Sequence, residues 1–459
     1  MNRDFILKDK LTIYDNRAKS GDSLGRLSVT YDIYPAPAIF WEFETESRAI
    51  DLPKYDEKGN LISPFECVYF NLLDPFLYPT DELEAHLSLG RRMTGSTTRA
   101  IIGDQTVTGK SFTFFLPNAK FQEAGILGKN FVVKEIIYKK SKETEESEEL
   151  EEFGGNFREG FLEASIGNGV TLKMQTPIES IDWLRKRRSI GTYITTHGEL
   201  FVDNDISIND AADLLDDVAF LLSFANGGSI APLVVKMDQS NFDMEYPTVY
   251  TSFAIDPIEH IAGTWLDKQS DIDDLLKCFP SFQKMLQSDH WKDNYWLILM
   301  WYFQAIQPSG IQIKGKPWPV VANALGAALE KLASIILVDE QKISKTQFKK
   351  LTLEDEIREL LRAIGINNIG PKYDTHDPEH GAQDAVWWFK ELRNDATHPK
   401  SNRKWTGEEA NIILDNAIQW VEEILLWRLG YKGGYSDRSR NNKFIPSPRY
   451  KIELRDASW

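Results

Sequence analysis

The sequence predicts an α+β protein, in which a β-rich N-terminal domain with one packed helix is followed by an all-α antiparallel helical bundle. Three observations lead to this prediction. Up to about Ile137, short runs of β-branched and aromatic residues alternate with Gly, Pro and Asp, which is typical of antiparallel strands and turns. At Ser207 the apolar residues take up helical spacing. From Trp291 to Gly430 that spacing continues almost without a break.

The first domain contains several short predicted strands. A hairpin is expected where residues 161–164 and 170–174 flank the turn sequence Gly167, Asn168 and Gly169. The other predicted strands cover residues 27–31, 38–43, 67–71, 111–116, 131–138, 191–195 and 232–236.

One helix is predicted within this β-rich region. Ser207 and Asp210 have the spacing of a capping box, and the apolar residues from Ala211 to Leu222 recur at helical intervals. The sequence Asn226, Gly227 and Gly228 should end the helix, and residues 232–236 then return to a strand.

The bundle begins with two helices, predicted at about residues 291–306 and 319–338. The second has small and apolar residues on one stripe, which allow close helix packing. These residues are Ala324, Ala327, Ala328, Leu332 and Ile335.

Three further helices have clear end signals. The third should begin after Thr352, with Asp355 at its third position, and stop at Gly365. For the fourth, Asp377 is the expected N-cap and Pro378 the first helical residue, and the helix runs to Thr397. The fifth is predicted to start with a capping box, Thr406 with Glu409, and to end at Gly430. Helices joined by modest loops in this way favour an antiparallel bundle.

The chain therefore divides into four predicted parts. Residues 1–240 form the β-rich domain, 241–290 connect it to the bundle, 291–435 form the bundle, and 436–459 are a basic tail. The length of 459 residues agrees with two to four domains at roughly 100–200 residues each. With 42% apolar and 27% charged residues, the chain does not have a disordered, collagen-like or coiled-coil composition.

The net charge of −16 is unevenly distributed. Residues 1–291 carry 29 basic and 47 acidic side chains, whereas residues 292–459 carry 24 and 22. Seven glutamates lie within residues 143–152, a run that is typical of a solvated loop. An acidic chain does not coat nucleic acid non-specifically, because its mean field repels phosphate. The nearly neutral C-terminal part still permits a local RNA site.

The cysteine content and the lengths of the apolar runs indicate where in the cell the protein is expected. Only Cys67 and Cys278 are present, so neither a disulfide framework nor a cysteine zinc site is expected. The first ten residues contain no apolar run of signal-peptide length, and residues 295–303, taken as the most apolar stretch, are far shorter than the roughly 20 needed to span a bilayer. We expect a soluble, cytoplasmic protein that does not insert into a membrane.

Candidate catalytic residues lie at the end of the fourth bundle helix. Pro399 disfavours helical geometry at His398, so the imidazole should lie at the helix C-terminus. The helix dipole favours positive charge there, which helps a histidine to act as an acid. The guanidinium of Arg393 matches a phosphate or a pentacoordinate transition state, and Asn394 adds a neutral donor and acceptor.

The same residues have a purely structural interpretation. In that interpretation Arg393 pairs with Glu391 or Asp395 on the surface, and His398 only caps the helix. Spacing alone does not decide between the two readings, because an Arg followed by a His at this distance is expected about once by chance in this composition.

The context of the motif resembles the HEPN superfamily of ribonucleases over about residues 291–435. The shared features are a late bundle helix ending in Arg-Asn-x-x-x-His at 393–398, an earlier Ala-Leu-Glu at 328–330, and a capped final helix. The segment FLLSFANGGSI at 220–230, which follows a β-rich region, is similar to the N-terminal domain of ApeA-like anti-phage defence proteins. Asp395 departs from the pattern by adding a carboxylate inside the motif.

The resemblance implies metal-independent cleavage of RNA in abortive infection. His398 would transfer protons, Arg393 would stabilise developing charge, and Asn394 would position the phosphate or the histidine. No cofactor or metal is implied. The bundles of two chains would pair to form one site, so a homodimer is expected, and the N-terminal domain would be the place for a phage-derived activating ligand. A catalytically inactive bundle that binds RNA, nucleotide or protein is the alternative.

Overall fold

A computed structural model shows the fold. It describes residues 10–20, 23–32, 37–45, 70–72, 77–78, 84–87, 92–97, 99–102, 106–119, 132–135, 156–159, 161–175, 194–238, 247–251, 264–266, 272–306, 318–365, 384–398 and 405–435. The chain forms two compact units. The first contains residues 1–220 and 229–259, and the second contains residues 221–228 and 260–459. The first is built mainly from antiparallel strands and the second from helices, which confirms the predicted α+β class.

Each predicted strand of the first unit overlaps an observed one, and seven strands were not predicted, namely β1, β5, β6, β7, β8, β11 and β16. In chain order they are β1 Lys10–Ser20, β2 Ser23–Asp32, β3 Ala38–Thr45, β4 Phe70–Leu72, β5 Leu77–Tyr78, β6 Glu84–Leu87, β7 Arg92–Thr97, β8 Arg99–Ile102, β9 Thr108–Pro117, β10 Val132–Glu135, β11 Asn156–Glu159, β12 Phe161–Gly167, β13 Val170–Gln175, β14 Ile194–Ser207, β15 Val234–Met237 and β16 Thr248–Thr251. The predicted hairpin is confirmed as β12 and β13, with Asn168 and Gly169 at positive φ.

Neighbouring strands pair antiparallel in three sheets. One sheet has the order β4-β1-β2-β3-β7-β6, a second has the order β12-β13-β14-β9-β15-β16-β8-β5, and β10 pairs with β11. The two larger sheets share a core in which Tyr31 of β2 and Ile39 of β3 pack with Phe115 of β9 and Val234 of β15. The hydroxyl of Tyr31, a buried residue of this core, donates to the carbonyl of Thr251 at 2.9 Å, so this buried polar group has a partner.

Helix α1, Ile208–Asn226, begins at the predicted capping box. The N–H of Asp210 donates to the Ser207 hydroxyl, and the N–H of Ser207 donates to the Asp210 carboxylate. Arg99 of β8 donates to Asn209 and Asp213 at 3.2 Å each, which attaches the first half of the helix to the sheet. The last residues of α1, from Leu221 onwards, belong to the helical unit.

The helical unit begins earlier than the predicted bundle. Two short helices, α2 Ile272–Leu276 and α3 Phe279–Leu286, lie in the stretch 241–290 that the sequence analysis treated as a connection. The remaining helices are α4 Asp289–Ile306, α5 Trp318–Ala333, a π-helix Ser334–Glu340, α6 Lys345–Phe348, α7 Leu353–Ala363, α8 Ala385–Thr397 and α9 Gly407–Leu429.

The end signals of α7 and α9 are confirmed in detail. Thr352 and Asp355 form a complete capping box at α7, and Thr406 and Glu409 form another at α9. Gly430 ends α9 in the left-handed conformation at φ 71°, a backbone geometry that glycine adopts without steric cost.

Helix α5 is the central helix of this unit. It packs against α4, α7, α8 and α9, and its small residues Ala324 and Ala328 are buried, as the stripe predicted. Together with the π-helix it forms a helical stretch, Trp318–Glu340, that is long and apolar enough to cross a membrane, and 67% of its most apolar window is buried inside the structure. The choice of residues 295–303 as the most apolar stretch was therefore wrong. A buried helix at the centre of a folded unit has the same composition for packing reasons.

Candidate functional site

The helix that carries the motif, α8, begins at Ala385 rather than at the predicted Asp377–Pro378 signal, which lies outside the described residues. Asp384 is its N-cap, and its carboxylate accepts the N–H of Trp387 at 3.0 Å. The same carboxylate receives two hydrogen bonds from Arg358 of α7, at 2.6 and 2.9 Å. Burial would raise the pKa of Asp384, but these bonds outweigh it and hold the pKa below its ordinary value. The predicted start was wrong, because Asp384 has an extended backbone and caps a helix that begins at Ala385, and its bonds to Arg358 of α7 have no local signal in the sequence.

The three predicted site residues lie together at the C-terminal end of α8. Arg393 and Asn394 are in its last turn, and His398 is its C-cap, with its N–H donating to the Asn394 carbonyl at 2.7 Å. The predicted position of the imidazole at the helix end is therefore confirmed. Asn394 and His398 are exposed, and within the described residues neither side chain forms a hydrogen bond or an ion pair. Asn394 and His398 are therefore the two motif side chains that the described residues leave uncovered.

Arg393 lies across α5. Its Nη2 is 2.9 Å from a carboxylate oxygen of Glu330, and 26% of the Arg393 side chain and 40% of the Glu330 side chain are exposed. The chain of Arg393 passes over Gly326, where a Cβ would lie 2.9 Å from Nε and 3.3 Å from Cγ. The Nε atom is buried and has no hydrogen-bond partner among the described residues. Among the described residues the guanidinium thus has an ion-pair partner at Nη2 and no hydrogen-bond partner at Nε.

The structural alternative is only partly borne out. Arg393 does form an ion pair, but neither predicted partner provides it. Glu391 pairs with Lys390 on the same helix, and Asp395 accepts the indole N–H of Trp405 at 2.6 Å. Asp395 therefore fixes the segment that leads into α9.

A second polar contact joins the motif helix to α5. The Thr397 hydroxyl lies 2.9 Å from the Asn323 side-chain oxygen and 2.9 Å from the Arg393 carbonyl. Since a hydroxyl has one hydrogen, it donates to one of these oxygens at a time. This contact anchors α8 one residue before His398.

Glu356 of α7 adds a titratable acid to the site. Its own burial and the nearby Glu330 raise the pKa of Glu356 to about 7, while Arg393 opposes the shift. The site therefore contains two carboxyl groups near one guanidinium. Protonation of Glu356 changes the charge near Arg393 close to neutral pH.

Asn323, Gly326 and Glu356 also lie at the site and were not predicted from the sequence. A single glycine in the otherwise Ala-, Leu- and Val-rich helix α5 was the available signal, because glycine in a helix interior often marks the close approach of another group. The other two residues have no local signal, since they reach the site only when α5, α7 and α8 pack together.

Other sequence features do not add to this site. Within the described residues there is no group of three His, Cys, Asp or Glu side chains suited to a metal. The sequence also contains a run of four basic residues at 185–188 and two histidines, His376 and His380, and these lie outside the described residues, as does the acidic run at 143–152. Of the aromatic residues on α4, Tyr295 and Tyr302 are buried, whereas Trp296 is 39% exposed.

The fold and the site define a class: an α+β protein whose C-terminal helical unit carries an Arg-x4-His motif at a helix end. Residues 288–447 match the family model described as the YopA C-terminal domain, which covers about a third of the chain and contains the whole motif. The helical part of this chain is thus similar to that domain. Comparison with curated proteins and with solved structures gave no match.

Proposed function

We propose that this protein is a HEPN-type metal-independent endoribonuclease of anti-phage defence, acting in abortive infection from the cytoplasm. One observation carries the proposal. An exposed histidine, an exposed asparagine and a partly exposed arginine lie within six residues at the end of one helix, inside the region that matches the family model. This set combines a proton-transfer group with a charge-stabilising group, which cleavage of a phosphodiester needs.

In the proposed reaction the ribose 2′-oxygen attacks the adjacent phosphorus. The bond from that oxygen to phosphorus forms while the bond from phosphorus to the 5′-oxygen breaks, which leaves a 2′,3′-cyclic phosphate and a 5′-hydroxyl. His398 accepts the proton of the 2′-hydroxyl or donates one to the leaving oxygen. Arg393 stabilises the negative charge of the pentacoordinate phosphorus, and Asn394 orients the phosphate.

We further propose that two chains form the active site. One motif supplies one histidine, whereas removal of the first proton and delivery of the second require two groups or one that is used twice. A homodimer brings two copies of His398 to one cleft. Light scattering of the full chain should give about twice its mass of 52.6 kDa, and a purely monomeric active enzyme would contradict this.

The catalytic test uses purified full-length protein and RNA in the presence of EDTA. Arg393→Ala and His398→Ala should each lower the cleavage rate about 10²- to 10⁴-fold without a change in melting temperature, and the wild-type products should end in a cyclic phosphate. Matched controls are Arg362→Ala and His290→Ala, which remove an exposed arginine and an exposed histidine elsewhere in the unit and should leave the rate unchanged. Equal cleavage by wild type and both motif variants would refute the assignment.

The ion pair between Arg393 and Glu330 favours a second candidate function. A carboxylate that pairs with the guanidinium reduces the positive charge available to a transition state, and a catalytically inactive bundle that binds RNA, nucleotide or a protein partner does not need that charge. RNA binding without cleavage, under every activating condition, would support this function instead.

The role of the first unit follows from the defence proposal. We assign it the recognition of a phage-derived ligand that activates the nuclease, without insertion into a membrane. Cells that express the chain should stop growing during phage infection and not before it, and cells with His398→Ala should continue to grow.

A further inference from the structure

We propose that Gly326 and Glu330 of α5 are positioning residues for Arg393: Gly326 provides the space in which the side chain lies, and Glu330 holds the guanidinium until an RNA phosphate replaces it. The effect on cleavage rests on the proposed function. The effect on the position of Arg393 and on its affinity for phosphate does not.

Gly326 lies in the interior of helix α5. Glycine in a helix interior is unfavourable relative to alanine, and nothing in the backbone of α5 requires it, since Gly326 is not among the glycines with positive φ. The three heavy atoms nearest to an added Cβ all belong to Arg393, at 2.9, 3.3 and 3.5 Å. Glycine at position 326 therefore makes room for the Arg393 side chain, and the backbone of α5 does not require it.

Glu330 accepts from only part of the Arg393 guanidinium. A guanidinium offers five N–H groups, and among the described residues Arg393 has one ion-pair contact, from Nη2, and a buried Nε without a partner. A buried N–H without a partner is unfavourable, so this arrangement is poorly satisfied. A phosphate has three or more acceptor oxygens and can engage the guanidinium through two of them.

The Glu330 contact is also weak enough to exchange. Both side chains are partly exposed, and ion pairs of this kind contribute little net free energy because water and salt screen them. Glu330 thus competes with the incoming phosphate without blocking it permanently. Its charge lowers the affinity of the resting site for anions.

The first test is Gly326→Ala in the full chain. Alanine favours the helix, so the melting temperature should stay the same or rise, while the added Cβ displaces Arg393 and the cleavage rate falls at least tenfold. A structural glycine would behave in the opposite way, with lower stability. If the wild type cleaves RNA, unchanged cleavage by Gly326→Ala would contradict the role of Gly326, and an unchanged Nε–H NMR signal of Arg393 would contradict it whether or not the wild type cleaves RNA.

The second test is Glu330→Gln, compared with Glu391→Gln. Both variants lose one negative charge, but Glu391 pairs with Lys390 and not with Arg393. Inorganic phosphate is titrated while the ¹⁵N–¹H signal of Arg393 Nε is followed, and this signal is identified by its loss in Arg393→Lys. Glu330→Gln should bind phosphate about three- to fivefold more tightly than wild type, and Glu391→Gln should match wild type.

The phosphate titration separates this inference from the proposed function. If wild type cuts no RNA but Glu330→Gln alone binds phosphate more tightly, the nuclease proposal fails and the positioning roles stand. If wild type cuts RNA and the two glutamine variants bind phosphate equally, the nuclease proposal stands and the role of Glu330 is wrong. Tighter binding with a lower KM for RNA and an unchanged kcat is the expected kinetic result for Glu330→Gln.

Discussion

At the scale of single residues, the partner of Arg393 follows from helix geometry. Glu391 and Asp395 are each two positions away along α8, and residues with this separation do not face each other on a helix. A carboxylate on the packed helix α5 therefore forms the ion pair, 63 positions earlier in the chain. The position of His398 at the helix end has a local signal instead, because a proline at the next position of the sequence disfavours helical geometry at His398.

The acid Glu356 predicts a pH dependence of stability. Its pKa is raised from 4.5 to about 7 in the folded protein, so the folded state holds a proton between these values that the unfolded state has released. Its contribution is fully present below pH 4.5 and is lost as the pH rises to about 7. Over that interval the free energy of unfolding should fall as the pH rises, with at most the slope that a difference of one bound proton produces. Glu356→Gln should remove this part of the slope.

The measurement is denaturant unfolding of wild type and Glu356→Gln at half-unit steps of pH. Glu359→Gln is the control, because Glu359 is an exposed acid on the same helix that pairs with Arg362. If wild type and Glu356→Gln show parallel curves from pH 4.5 to 7, the raised pKa of Glu356 is wrong.

At the scale of elements, the N-terminus of α8 is stabilised twice by one side chain. Asp384→Asn keeps a capping group and loses the charged pair with Arg358, whereas Asp384→Ala loses both. The loss of the pair should cost about 1 kcal/mol and the loss of the cap about 1 kcal/mol more. The melting temperature should therefore be highest for wild type, lower for Asp384→Asn and lowest for Asp384→Ala. Equal melting temperatures for the Asn and Ala variants would show that Asp384 does not cap α8.

Sequence reasoning succeeds where the deciding interaction is local. The capping boxes of α1, α7 and α9 and the glycine that ends α9 are contacts within a few residues, and each is found where the sequence places it. Strand β1 was missed, although it pairs with β2 with Ser20 opposite Ser23 and the residues between them are Gly21 and Asp22, a recognised hairpin signal. Its polar composition concealed the strand.

Sequence reasoning fails where packing decides. Asp377 with Pro378 and Asp384 are comparable start signals in the sequence, and the bonds from Arg358 of α7 to Asp384 cannot be read from that local pattern. In the same way, the motif string locates Arg393 and His398 but does not indicate that Gly326 and Glu330 lie against the arginine. The Arg358–Asp384 bond joins residues 26 positions apart and the two contacts of Arg393 join residues more than 60 positions apart, so no local pattern encodes them.

At the scale of the whole molecule, the two compact units do not divide the chain at a single point. Residues 221–228, the end of α1 and the glycine turn after it, belong to the helical unit although they precede the last strands of the β unit. Phe224 in this segment is fully buried, and its ring lies 5.3 Å from that of Trp265 and 5.6 Å from that of Tyr302. The core of the helical unit is therefore completed by a segment from the N-terminal half of the chain.

This arrangement predicts which unit each half of α1 stabilises. Phe224→Ala should destabilise the helical unit by about 3–5 kcal/mol, because it leaves a cavity between Trp265 and Tyr302. Leu215→Ala, a buried residue in the half of α1 that belongs to the β unit, should act on that unit instead. Hydrogen exchange followed by mass spectrometry should show faster exchange in peptides of α4 for Phe224→Ala and in peptides of β9 and β14 for Leu215→Ala. The same peptides responding to both variants would mean that the two units unfold together, and α1 would then couple the β unit to the helical unit that carries His398.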